Sequence, residues 1–359
     1  MPIDFQQPLP FLTADLPGIG GRIKREPEDF EVEEIPAYEP SGSGSFLYLW
    51  VEKRDMGAEY FVRQVARRLG LANGEVGMAG LKDRRAVTRQ TISVPDRAES
   101  RLSELNGEGI RLLSVGRHSN KLRAGHLRGN RFRILIRGVE PDTVTRLAPI
   151  VERLEQLGLP NFYGEQRFGR DGETAKIGFA LLTGGEMPAA VGQVNARSPF
   201  LRKLALSAMQ SALFNEYLKR RLADGLLRRV LAGDVMAKWP AGGMFVASDI
   251  AAEQARVDGR EIVSAGPIFG KKTFAAQSTA AEREAAVLSE TGVAADAFRR
   301  FGKLLAGTRR HNWVYVNGLS AAAEPEGVRL DFTLPSGSYA TMLVREFTKA
   351  AVDDSCERD

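Results

Sequence analysis

The chain runs to 359 residues, more than one ordinary hydrophobic core organises, so two domains are expected. Its 43% hydrophobic and 26% charged residues exclude wholesale disorder, and no apolar run approaches the roughly 18 to 20 residues that cross a membrane. A net charge of +5 is weakly basic, and the placement of that charge along the chain says more than its sum.

The amino-terminal MPIDFQQPLPFLTADLPG lacks a basic start followed by a long apolar stretch, so no secretory signal is read there. Cys356 is the single cysteine and lies in a polar tail, which rules out an intrachain disulfide and makes the cytoplasm the simplest expectation. With three scattered histidines, His118, His126 and His311, the chain offers no paired Cys or His spacing for a structural zinc site, and no metal is expected.

The first third alternates like a sheet. FEVEEIP (Phe30 to Pro36) and SFLYLWVEK (Ser45 to Lys53) predict strands, the second following the loop EPSGSG. GAEYFVRQVARRLG (Gly57 to Gly70) spaces Phe61, Val62, Val65 and Leu69 for a helix ending at glycine. After Arg85 a run to Pro95 predicts another strand. NRFRILIRG sets Phe132, Ile134 and Ile136 on one side and Arg131, Arg133 and Arg137 on the other. TVTRLAPIVERLEQLG is a helix closed by Gly158 and Pro160. The middle turns helical: Phe200 to Arg221 is one long amphipathic stretch and Thr279 to Gly292 another. Strands are expected again only after Trp313, in WVYVNG and VRLDFTLPSGSYATMLVREF, where Val328, Leu330, Phe332 and Leu334 alternate. This order suggests a sheet domain interrupted by an insertion, its first and last segments completing one sheet.

Two glycine-rich stretches fail as nucleotide loops. GPIFGKKT (Gly266 to Thr273) has three residues between its glycines where a phosphate loop needs four, and GIGGR (Gly18 to Arg22) lacks the βαβ surroundings of a dinucleotide site. There is no Gly-x-Ser-x-Gly elbow and no compelling triad. From Arg111 to Arg137, by contrast, the chain carries eight Arg or Lys, two His and no acidic residue. Charged faces usually mix signs, so a one-sign run favours a polyanion such as nucleic acid over a merely solvated face.

The most unusual local stretch is MAGLKDRRAVTRQTISVP, which places Asp83 among Lys82, Arg84 and Arg85 where the backbone enters a strand. A capping or salt-bridged surface aspartate is the ordinary explanation for such a residue. Its company alters the balance. IKREPEDFEVEE (Ile23 to Glu34), AGLKDRRAVTRQ (Ala79 to Gln90), LRAGHLRGNRF (Leu122 to Phe132), NFYGEQRFG (Asn161 to Gly169) and LPSGSYATMLVREF (Leu334 to Phe347) follow one another in this order. Together they closely resemble the TruD family of tRNA pseudouridine synthases.

The resemblance implies an α+β fold. A mixed-sheet pseudouridine synthase catalytic domain (1–157 and 309–359) would be interrupted by a mainly helical TRUD insertion domain (158–308). It implies isomerisation of uridine in tRNA, at position 13 by the family's habit, by a cytoplasmic enzyme expected to be a monomer with no obligate protein partner and no membrane association. Asp83 aligns with the catalytic aspartate, Phe30 with an aromatic at the uridine site and Asn130 with a polar substrate contact. Tyr339 stands where the family more often has Phe. Lys24, Lys82, Gln166, Arg167 and Arg345 lie inside the shared motifs as site or RNA contacts, and Lys121 and Arg123 are added from the basic run.

The chemistry suits these residue types. The reaction breaks N1–C1′ and joins C5 to C1′ without net redox change, so no cofactor is expected. A carboxylate fits covalent catalysis at an anomeric carbon, as in retaining glycosidases, and flanking cations hold it ionised. The carboxylate either attacks C1′ or first assists departure of uracil as a glycal-type intermediate forms. The base must leave its stack, at a cost of a few kcal/mol that an aromatic pocket and hydrogen bonds offset. A binding protein that kept the fold without the activity, or the same reaction on another RNA, are the rival readings.

Overall fold

The structure, a computed structural model, describes residues 3–5, 7–188 and 198–350; Cys356 lies outside the described residues. The chain divides into two compact units. One, here the helical unit, comprises Met1–Ala14, Gln156–Tyr315 and Thr341–Leu343; the other, the sheet unit, comprises Asp15–Glu155, Val316–Ala340 and Val344–Asp359.

The sheet unit begins with β1 (Gly20–Arg22), β2 (Phe30–Pro36), β3 (Phe46–Arg54), α1 (Ala58–Leu69), β4 (Gly77–Met78), β5 (Val87–Pro95), β6 (Ile110–His118) and β7 (Leu127–Val139), followed by α2 (Val144–Leu157). The helical unit then supplies β8 (Leu159–Pro160), α3 (Glu173–Thr183), α4 (Pro199–Ala223), β9 (Val235–Lys238), β10 (Met244–Val246), α5 (Ile250–Asp258), β11 (Ile262–Ile268), α6 (Ser278–Thr291), β12 (Thr308–His311) and β13 (Trp313–Val314). The chain finishes with β14 (Asn317–Glu324), β15 (Gly327–Pro335) and α7 (Ala340–Thr348).

The main sheet has nine strands with the path β14-β15-β7-β2-β5-β3-β6, β1 pairing with β7 and β4 with β5. Strands β2 and β5 run parallel and the other pairs antiparallel, so the sheet is mixed. The two ends of the chain meet in it, because β15 pairs with β7 along its whole length. The fold is the α+β architecture that the interrupted strand pattern implies.

Register assigns the faces. Residues directly opposite one another in neighbouring strands share a face. Leu330, Ile134 and Phe30 therefore form one row, Phe332, Phe132 and Val32 a second, and Leu334, Asn130 and Glu34 a third. The Phe132 ring stacks on Phe332 at 5.2 Å and meets Phe30 edge-on at 6.2 Å. The same face continues through Thr88 and Gln90 of β5 to Leu47, Leu49, Val51 and Lys53 of β3. Over β3 and β5 it is covered by α1, whose Phe61, Val65 and Leu69 pack on Leu47, Leu49, Val51, Ile92 and Val94. Each such side chain buried contributes about 1.5–3 kcal/mol. Helix α1 stops where Gly70 takes a left-handed φ of 66° that a side chain would strain.

The opposite face is an ionic ladder. Arg89 faces Glu31, Glu33 and Glu52; Arg131 faces Glu33; Arg133 faces Asp331; Arg111 faces Glu52. The basic run that contains no acid in sequence is thus met by acids from neighbouring strands.

The middle of the chain departs from its expected pattern. It holds the expected long helices, α4 and α6, but also a four-stranded sheet ordered β10-β9-β11-β12. Strand β11, IVSAGPI, is buried at every position, and a short continuous apolar run carries no period that separates a buried strand from a helix. In GPIFGKKT the chain leaves β11 and the N–H groups of Lys271, Lys272 and Thr273 donate to the carbonyls of Leu305, Ala306 and Gly270, which leaves none of the three to cradle a phosphate. WVYVNG is split between the two residues of β13 and the first two of β14, and ATMLVREF forms helix α7 in place of a strand.

Candidate active site

Asp83 stands on the loop between β4 and β5, held at two levels. Its main chain is fixed by Lys53, a residue 1% exposed on the inward side of β3, whose Nζ donates to the Asp83 carbonyl at 2.8 Å and to the Met56 carbonyl at 2.5 Å. Its neighbour Lys82 is fixed by Glu34, the inward residue of the third cross-strand row, through a buried ion pair of 2.6 Å. The second Glu34 oxygen accepts from the Thr91 N–H at 3.3 Å. Neither Lys53 nor Glu34 stood out as a site residue in sequence. Their signal was there: each is a charged residue on the inward parity of a strand, after Leu47, Leu49 and Val51 in one case and after Phe30 and Val32 in the other.

The cation that faces the Asp83 carboxylate is Lys24 rather than the adjacent Lys82 or Arg85. Lys24 Nζ donates to Asp83 Oδ1 at 3.2 Å and lies 4.6 Å above the centre of the Phe30 ring. Lys82 turns to Glu34, and Arg85 donates to the Arg25 carbonyl. Lys24 sits at a left-handed φ of 58°, unusual for a residue with a side chain and the kind of strain that functional sites retain. Its side chain is 5% exposed while that of Asp83 is 33% exposed. The carboxylate is anchored from below and open above.

Phe30, Lys24 and Asp83 are therefore brought together, and Asn130 lies on the same face of the sheet, in register with Glu34 and Leu334. Asn130 Oδ1 is buried and accepts no hydrogen bond, as are Gln90 Oε1, Thr88 Oγ1 and Ser338 Oγ. Buried polar atoms normally have partners. Of these oxygens Asn130 Oδ1, Gln90 Oε1 and Thr88 Oγ1 share the inward face of the sheet, while Arg221 Nε, Asn312 Oδ1 and Trp313 Nε1 lack partners in the helical unit as well. The close approach of β7 and β15 at Gly129 keeps Asn130 in place, because a side chain there would meet the Leu334 carbonyl at 2.3 Å. Tyr339 caps the start of α7, half-buried, five residues beyond Leu334 and next to Ser338. Arg345 is buried on α7.

The remaining candidates lie elsewhere. Lys121 donates to the Gly74 carbonyl, and Arg123 is exposed. Gln166 and Arg167 belong to the helical unit, where Arg167 donates to Ser207 at 2.6 Å and Ser211 at 3.2 Å and stands over the Tyr163 ring.

Residues 9–197 and 185–347 match the family model described as tRNA pseudouridine synthase D (TruD). The chain belongs to the TruD family. It is 47% identical to the tRNA pseudouridine synthase D of Anaeromyxobacter dehalogenans (strain 2CP-1) over 96% of this chain and 97% of that one. It is 42% identical to a protein of the same name from Thermus thermophilus, over 98% and 95%. A crystallised TruD protein of Methanosarcina mazei superposes with a TM-score of 0.77 at 26% identity, covering 95% of this chain and 96% of that one. All five motifs quoted from the sequence fall within the TruD match.

Proposed function

We propose that the chain isomerises uridine to pseudouridine in tRNA, at position 13, with Asp83 as the catalytic carboxylate acting on a flipped-out nucleotide. The observation that carries this reading is the Lys24–Asp83 pair: a cation buried beside an aromatic ring, facing a carboxylate that is one-third exposed. Lys24 fixes one carboxylate oxygen in place, and the open side of the carboxylate leaves room for C1′. As N1–C1′ breaks and C5–C1′ forms, the C5 proton goes to solvent and N1 takes one up, so atoms and charge balance without an added reactant. In this reading Phe30 and Tyr339 abut the extruded base, which repays part of the few kcal/mol of unstacking. Asn130 Oδ1 accepts from the uracil N3–H or a ribose hydroxyl. Lys24 holds the carboxylate, Lys53 and the Glu34–Lys82 pair hold its loop, and Arg345, buried on α7, is a site or RNA contact.

The same proposal assigns catalysis to a discontinuous domain, 1–157 with 309–359, and RNA recognition in part to the insertion, 158–308, where Gln166 and Arg167 lie. A cytoplasmic monomer that needs no cofactor is its simplest form. Among the described residues no helix is long and apolar enough to cross a membrane. The test uses tRNA carrying tritium at C5 of uridine. Isomerisation releases the label, whereas a protein that only binds RNA does not, and Asp83→Asn should abolish the release while leaving tRNA affinity close to that of the parent. Normal release by Asp83→Asn would remove Asp83 from the chemistry.

A further inference from the structure

Two of the three histidines meet in the sheet unit, at a place that the Asp83 reading does not use. His118 ends β6 and His126 lies in the loop before β7, and both converge on Tyr38. The Tyr38 ring stacks on His118 at 5.1 Å and 19°, and its hydroxyl lies 2.6 Å from His126 Nδ1. Tyr48 supports the group from beneath, 4.6 Å from the His118 ring and with its hydroxyl 3.4 Å from that of Tyr38. The Tyr38, His118 and His126 rings line an open cleft of about 580 Å³ together with Asn120, Lys121 and Arg123. That volume is within the roughly 300–1,000 Å³ of small-molecule sites. Glu39 is the one acid in the lining, and among the described residues it pairs with neither cation. Lys121 donates to the Gly74 carbonyl and acts on the Glu75 carboxyl only at longer range, and Arg123 makes no ion pair among the described residues. This separates them from Arg131 and Arg133, whose charges are met by Glu33 and Asp331.

We infer that this cleft binds a second, unstacked nucleotide of the RNA, its base against Tyr38 and His118 and its phosphate on Lys121 and Arg123. Aromatic rings beside cations that make no ion pair are what single-stranded nucleic acid uses: stacking accepts any base, and the cations follow the backbone. An acidic peptide would use the cations but leave the stacked rings without purpose. The cleft is also built into the loop that carries the carboxylate. Leu122 and Tyr48 pack against Ala79 in one small cluster, and the Gly125 N–H donates to the Ala79 carbonyl at 2.8 Å. Ala79 is four residues from Asp83, a reach of at most about 14 Å of extended chain. The inference rests on the reading of the chain as a tRNA-modifying enzyme, and it names where a nucleotide other than the reacting uridine is held.

The test irradiates the full chain with unfractionated tRNA at short ultraviolet wavelength and maps the nucleotide adducts, alongside filter-binding affinities of variants. Adducts on Tyr38 or His118 are expected. Tyr38→Ala should weaken tRNA binding roughly 5- to 150-fold, the range expected for one missing base stack, while Tyr38→Phe stays near the parent. Unchanged affinity of Tyr38→Ala, or adducts confined to other peptides, would overturn the inference. Because the mapping uses the unmodified protein, a variant that fails to fold does not shield the idea. Tritium release separates the two readings: adducts in the cleft of a parent that releases no tritium would retain the cleft and remove the enzyme.

Discussion

In the helical unit Arg221 and Asp234 make a closed network. Their side chains are 0% and 3% exposed, and the guanidinium grips both carboxylate oxygens at 2.9 and 2.7 Å and also donates to the Tyr217 hydroxyl and the Arg229 carbonyl. The Leu231 N–H fills the carboxylate, and only Arg221 Nε is left without a partner. In the sheet unit Lys24 is equally buried, yet it touches one oxygen of Asp83 at 3.2 Å, and the carboxylate opens to solvent. Both are cation–aspartate pairs; what differs is the capacity left over. A carboxylate filled at both oxygens has nothing to offer a substrate, and removing it leaves the arginine charge buried without compensation. An unsaturated pair keeps lone pairs available at a fixed position. Electrostatics alone does not distinguish structure from function here, but the unfilled valence does.

The strongest way to break this comparison is to exchange the same substitution between the units. Asp83→Asn is expected to lower turnover by several orders of magnitude, since an amide neither carries the charge nor serves as a nucleophile. Its tRNA affinity should be little changed and its loss of stability smaller than that of Asp234→Asn, because Lys24 gives up a single 3.2 Å contact. Asp234→Asn should do the reverse, costing roughly 3–5 kcal/mol of stability because Arg221 is left buried without its counter-charge, while the folded fraction still releases tritium. Melting curves and tritium release on the two variants decide it. If Asp83→Asn melted early and still turned over, Asp83 would be a structural residue like Asp234.

Acid should also separate the units. Burial, with the Arg310 charge beside it, pushes the His311 imidazole of the helical unit down to about 4 from the usual 6.5. The native state then holds His311 neutral while the unfolded chain protonates it. Its contribution is present in full above pH 6.5 and is lost as pH falls toward 4, by up to about 3 kcal/mol. His311→Phe, which keeps a ring against Trp239, should flatten the fall in melting temperature over that window. An identical slope in the variant would place the acid-sensitive group elsewhere.

A smaller effect is expected at Tyr339. Because the family more often carries Phe there, Tyr339→Phe should keep most activity, and Tyr339→Ala should lose stacking of about 1–3 kcal/mol, measured as kcat/KM in the tritium assay. Equal damage from both would transfer the role from the ring to the hydroxyl.

Strands β2, β3, β5, β7 and β15 and helices α1, α4 and α6 were legible because their patterns are sustained and mostly bounded by glycine or proline, whereas β1, β4, β6 and most of β14 carried no such alternation. The candidate site was legible in part. Five separated motifs give Phe30, Asp83, Asn130 and Tyr339, but which cation faces Asp83 is a tertiary fact: Lys24 is 59 residues away, while the adjacent Lys82 looks inward to Glu34. Lys53 and Glu34 were readable as charges on an inward parity, and attention to the apolar members of each strand passed over them. The four-stranded sheet of the helical unit stayed hidden because β11 has no polar face. The apparent one-sign basic run misled in another way, since sequence neighbours are not spatial neighbours in a sheet.

That last point supplies the finest test of the comparison, between cations that are filled and cations that are free. Arg131 and Arg133 lie on the outer face of β7, 3.8 Å from Glu33 and 3.1 Å from Asp331, whereas Lys121 and Arg123 make no ion pair among the described residues, Glu75 feeling Lys121 only at longer range. A cation already neutralised releases few counterions from RNA when it binds, and one that is free releases its full share. Lys121→Ala with Arg123→Ala should therefore make the log–log salt dependence of tRNA binding shallower by roughly 0.7 to 0.9 for each phosphate no longer neutralised. Arg133→Ala should leave the slope nearly where it was, although it removes the same charge. Filter binding across a salt series measures both. Equal changes in slope would mean that the acids of the ladder do not screen their arginines from RNA, and that the basic run acts as a single surface after all.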